Sequence, residues 1–111
     1  MYMFKEVKTS DKGVEQLATD MYNEFKYCFS KDSTEGWIKK FAHKRFERIR
    51  DEQMERFNKK LSKNFENKVV KRFTELIQEH VKECRKAFNK AERERIERER
   101  DQAKSVRRGK R

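Results

Sequence analysis

Proline is absent from this 111-residue chain and glycine occurs only three times, so the residues that close hairpins and shape loops are nearly missing. An all-β sandwich or barrel needs such residues at most strand ends, and a nucleotide-binding α/β fold needs a glycine-rich turn; neither fits. Cysteine is scarce as well. Cys28 and Cys84 are too few for a disulfide framework and read as free thiols of a reducing compartment. No apolar run approaches the roughly 20 residues of a membrane-spanning helix. The opening Met1-Tyr2-Met3-Phe4-Lys5-Glu6 reaches a charge after four residues, without the small-residue cleavage site of a secretory signal. The expectation is an intracellular protein of the cytoplasm (host cytoplasm for a viral product), making no membrane contact and no larger than one domain.

Charge is what the chain has in abundance. Lys and Arg number 31 against 20 Asp and Glu, a formal +11; charged residues make up 46% and apolar ones 33%. Ordinary domains carry about a quarter and just under half. The excess is also lopsided. Residues 1–36 hold five Lys and seven acids, for −2, and residues 37–111 hold 26 Lys and Arg and 13 acids, for +13. Asymmetry of this size concerns a partner more than a fold.

The apolar residues recur at helical steps. Val14, Leu17, Ala18, Met21, Tyr22, Phe25, Cys28 and Phe29 share one side of an α-helix, with Ser10 or Asp11 as N-cap, which predicts a helix over 11–29. Ahead of it, Tyr2, Phe4 and Val7 read as an apolar arm folding back, or as a short edge strand. Ser30 to Gly36 is the clearest break, and Asp32 followed by Glu35 has the form of a capping box. Trp37, Ile38, Phe41, Ala42, Arg45, Phe46, Ile49, Met54, Phe57 and Leu61 predict a second helix over 34–61. The polar cluster 62–67 then predicts a turn. Val69, Phe73, Leu76, Ile77, His80, Val81, Cys84, Phe88 and Ala91 predict a third helix, over 65–90.

Without that turn the chain would be a rod of ~105 Å, unable to bury its own stripe. The expected fold class is therefore all-α: a three-helix bundle or helical hairpin with long second and third helices, built from residues 1–90. Residues 91–111 read as a charged helical extension ending in a basic tail, Lys104 to Arg111, without order when free.

Few residues suggest chemistry. His80 and Cys84 lie i, i+4 on one helical face, Cys28 ends the first helix and His43 lies on the second, a set of zinc-ligand types that a bundle would gather. Their spacing matches no compact zinc module, and both cysteines fall on apolar stripes where cysteine acts as a small hydrophobe. No metal and no cofactor is expected. A Cys–His pair also offers a nucleophile and base, but no phosphate loop, metalloprotease motif or oxyanion hole accompanies it, so the expectation is not an enzyme.

Basic faces remain. Lys40, Lys44 and Arg48 follow i, i+4 spacing, flanked by Lys39, Arg45 and Arg50. Lys59, Lys60 and Lys63 continue the row, followed by Lys68, Lys71 and Arg72. Further on come Lys82, Arg85, Lys86 and Lys90, and the tail contributes Arg107, Arg108, Lys110 and Arg111. Such rows neutralise phosphates and release counterions, pointing to the backbone of DNA or RNA, alone or in a nucleoprotein complex. Solubility alone accounts for a net charge of only ~2 to 8 on a small domain. Trp37, Phe41, Phe46, Phe57 and Phe65 interleave with these bases. Their spacing makes most of them core, leaving Trp37 and Phe65 as the exposed rings on which single-strand bases would stack.

Two other readings compete. One is a modulator, inhibitor or assembly scaffold docking on an acidic surface of a larger protein through Phe57, Phe73 or Phe88, as small phage accessory proteins do by analogy. The other is a homo-oligomer formed through the apolar stripe 54–88, whose average step near 3.7 residues suits a bundle better than a left-handed coiled coil.

Overall fold

The computed structural model describes residues 5–109, with side chains placed for residues 5–100. It is all-α: α1 spans Asp11–Phe25, α2 spans Glu35–Phe57 and α3 spans Lys63–Gly109, with a single 3-10 turn at Lys26–Cys28. α1 and α2 both pack along the first part of α3, which serves as the spine of an elongated molecule measuring 80 × 25 × 21 Å.

Each helix begins at a side-chain cap. The Ser10 hydroxyl accepts from the Gly13 N–H at 3.2 Å and starts α1. α1 stops at Phe25, short of the expected 29, because the chain tightens into the 3-10 turn. Phe29 then leaves it with extended backbone (φ −115°, ψ 144°) and buries its ring. Thr34, not Asp32, caps α2: its hydroxyl accepts from the Trp37 N–H at 3.2 Å, and Asp32 instead pairs with the neighbouring Lys31.

The turn between α2 and α3 is real but lies earlier than the sequence suggests. Asn58 adopts the left-handed conformation (φ 50°) and ends α2 at Phe57. Ser62 accepts from the Phe65 N–H at 3.1 Å, so the polar cluster 62–67 is the cap and first turn of α3. The connection is therefore 58–62, and within it Leu61 turns inward and is buried.

The core joins Leu17, Ala18 and Met21 of α1 to Ile38, Ala42, Phe46 and Ile49 of α2 and to Phe65, Val69, Val70, Phe73, Ile77 and Val81 of α3. Phe65 is part of it, contrary to the expectation of an exposed ring, packing against Phe46 with ring centroids 6.0 Å apart. Phe73 is fully buried too, so it offers nothing to a partner. Met54 and Phe57, placed on the stripe by the sequence reading, are exposed; Gln53 takes the inward position instead. Residues 46, 49 and 53 keep the regular steps of three and four, and 54 does not.

Gln53 uses that position to hold the N-terminal arm. Its amide oxygen accepts from the Val7 N–H at 2.8 Å and its amide nitrogen donates to the Lys5 carbonyl at 2.9 Å, as a neighbouring strand would. Val7 buries its side chain, whereas Tyr2 and Phe4, also assigned to the arm, lie outside the described residues. The arm crosses α1 at Gly13, where any Cβ would overlap the Lys8 carbonyl.

Among the described side chains, Val81 is the last buried residue of α3. The helix continues through Gly109, some 42 Å further at 1.5 Å per residue, past Lys104 where the sequence reading expects order to end. No proline interrupts 64–108 and no glycine either, so nothing in the backbone stops propagation.

Candidate nucleic-acid interface

α2 buries Ile38, Ala42, Phe46, Ile49 and Gln53, which turns the opposite side of the helix to solvent. Two neighbouring i, i+4 ridges run there: one on the outer side itself, the other along its flank, where Phe41 and Arg45 are half-buried against the core. One carries Lys40, Lys44 and Arg48, all exposed and, among the described residues, free of any acidic partner. The other carries Trp37, Phe41 and Arg45. Trp37 is 47% exposed, with its ring set edge-on against buried Phe29 at 4.9 Å and tilted on Phe41 at 5.8 Å. The Arg45 guanidinium lies 4.7 Å from the Phe25 centroid and 5.4 Å from that of Phe41, a cation over aromatic faces.

Other expected bases have internal duties. Lys39 pairs with Glu35 at 3.0 Å, and Lys59 approaches Glu6 at 3.9 Å. Arg72 forks onto Glu15 of α1 through Nε at 2.7 Å and its terminal nitrogen at 3.1 Å, and also reaches Glu75. That hydrogen bonding, followed by slight desolvation acting the other way and the Arg72 charge, holds the Glu15 carboxyl below its ordinary value. Lys60, Lys68 and Lys71 are exposed without an acidic partner among the described residues. Lys68 and Lys71 lie on the outer side of α3, so the free bases stand on separate helices rather than in one row. Arg107 and Arg108 fall on the last turns of α3, where side chains are outside the described set, as are Lys110 and Arg111 altogether.

Lys63 and Arg50 join a cluster that sequence reading missed. Glu66 is buried on α3, its Oε2 accepting from His43 Nδ1 at 2.6 Å and from Lys63 at 3.2 Å, its Oε1 accepting from Arg50 at 3.2 Å. Burial works to raise its pKa, but the hydrogen bonds from His43 and Lys63 and their charges outweigh it, holding the carboxyl below 4.5. The signal was present in the sequence: Glu66 lies three, four and seven residues before Val69, Val70 and Phe73, an acid on an apolar stripe. His43 is thereby committed to α3.

The other ligand candidates stand apart from it. His80 Nε2 lies 3.5 Å from the Cys84 thiol, with edge contacts to Tyr22 and Tyr27, and Cys28 is exposed on the 3-10 turn. Among the described residues no group of three or more His, Cys, Asp and Glu is placed to hold a metal ion. None of their helices is long and apolar enough to cross a membrane.

Comparison with protein-family models, with curated proteins and with solved structures finds no match for this chain.

Proposed function

We propose that the protein is a non-enzymatic binder of nucleic acid, alone or within a nucleoprotein complex, gripping the phosphate backbone through Lys/Arg faces. The observation that carries this reading is the set Lys40, Lys44, Arg48, Lys60, Lys68 and Lys71, solvated and unneutralised by acids of the described chain. Exposed Lys39, Arg56, Lys63, Lys82, Lys86 and Arg95 are by contrast matched by acids, which serves solubility without attracting a polyanion. Unmatched ones raise the local potential and draw phosphates at long range. Contact of this kind positions a backbone and reads no base sequence.

The test is binding of a labelled oligonucleotide at low salt by the wild type and by a Lys40→Ala/Lys44→Ala/Arg48→Ala variant. The wild type should bind and the variant should lose most of its affinity, with circular dichroism unchanged because none of the three side chains is buried. Equal affinity in both proteins rejects the α2 face.

A second reading rests on the free length of α3. Beyond Val81 no described side chain of that helix is buried; Arg85 and Phe88 still touch Lys31, and Phe88 and Ile96 are exposed on it. A protein partner with an acidic surface would give those apolar side chains and the neighbouring bases a contact. A complex of that kind survives nuclease and is weakened by Phe88→Ala or Ile96→Ala, which the nucleic-acid reading does not require.

A further inference from the structure

We propose that the outer side of α2 is a platform for single-stranded nucleic acid, with a base stacked on Trp37 and the adjoining phosphates on Lys40, Lys44 and Arg48. This rests on the polyanion reading above and adds the form of nucleic acid that the site selects.

The arrangement of the two ridges is the argument. On one helical face, residues 37, 41 and 45 form a line of ring, ring and stacked guanidinium, and residues 40, 44 and 48 form a line of free cations beside it. Successive members of each line rise by about 6 Å along the helix. A single strand also has two sides, a charged backbone and bases with open faces, and binders of single strands pair a cationic track with aromatic platforms. A duplex turns its base faces inward and offers an exposed indole nothing to stack on.

Trp37 is suited to this use by how it is held. Phe29 beneath it is buried, and the Phe41 ring leans on it, so its orientation is set before any ligand arrives. Preorganised rings lose little freedom on binding. The preceding Gly36 is itself open to solvent, since a Cβ added there meets nothing within 4 Å. The nearby acid Glu35 is occupied by Lys39; exposed Glu47 lies beside the ridge between Lys44 and Arg48, and exposed Asp51 lies one turn past Arg48, neither paired with a ridge cation among the described residues. The track thus fits about three phosphates, for which single-strand binding has a log–log salt slope near −2.

Trp37 is the only tryptophan, so its emission reports the contact in the full chain. The protein is titrated at low salt with a short oligothymidylate and with a duplex of equal length. Quenching by the single strand, and tighter binding of it than of the duplex, is expected. Trp37→Ala should weaken single-strand binding about tenfold or more, as loss of a stacked base does. Its salt slope and its duplex affinity should not change. Should Trp37→Ala fail to fold, the wild-type emission still decides. Single-strand binding without any change in emission overturns the platform and leaves the polyanion reading standing. Binding of neither nucleic acid overturns both.

Discussion

Gln53 and Glu66 are the two residues whose polar ends the bundle encloses with long-range partners, and each does a different kind of work. Gln53 satisfies two backbone groups of the arm at once, Val7 N–H and Lys5 C=O. Gln53→Leu keeps the volume but leaves Val7 N–H without its acceptor inside the structure, and should cost about 1 to 3 kcal/mol in denaturant unfolding. Glu66 carries a charge made tolerable by hydrogen bonds from His43, Arg50 and Lys63. Its carboxyl is held below 4.5 when folded, so the folded protein binds this proton less readily than the unfolded chain does. The contribution is present above about pH 4.5 and is lost as pH falls through the lowered native value. A pH series of thermal melts should show that loss in the wild type, and Glu66→Gln should flatten it while lowering stability at neutral pH. Glu15 shifts in the same direction but is solvated, so its share is small.

At the scale of helices, the end of α2 is the place where one residue decides the topology. Asn58 tolerates the left-handed backbone better than most residues, and glycine tolerates it best. Asn58→Gly should leave stability equal or raise it by up to about 1 kcal/mol, whereas Asn58→Val should lower it by about 1 to 2 kcal/mol, read from unfolding midpoints. The three helices and most of their inward residues were legible from apolar spacing alone, because steps of three and four leave little choice of face. The boundaries were not. Ends are set by single caps such as Thr34, Asn58 and Ser62, which compete with equally plausible neighbours such as Asp32. The same limit hides the polar core: apolar spacing marks hydrophobic positions, so it selects Met54 over Gln53 and leaves Glu66 within the polar cluster 62–67. Of the candidate interface, exposure of Trp37 was legible from its position at a helix start. Which bases stay free was not, since Arg72, Lys59 and Lys63 are neutralised by acids distant in sequence or absorbed in the Glu66 cluster.

The whole molecule is a short bundle from which one helix runs on, and its charge is disposed accordingly. The segment 1–36 contributes Glu15, whose pair with Arg72 ties α1 to α3, and the remainder carries the excess of +13. The middle of the apolar stripe 54–88 is consumed within the bundle, leaving Met54, Phe57 and Phe88 exposed at its ends. The Phe88 ring is partly engaged by Lys31, whose ammonium lies 4.3 Å from its centroid. The surface we propose for nucleic acid is the unneutralised positive charge of Lys40, Lys44 and Arg48. The measurement that tests this most directly is the affinity of the full chain for an oligonucleotide across a series of salt concentrations. A straight log–log line of slope about −2 or steeper is expected if the proposed face neutralises at least three phosphates. A flat line, or no binding at the lowest salt, would contradict it.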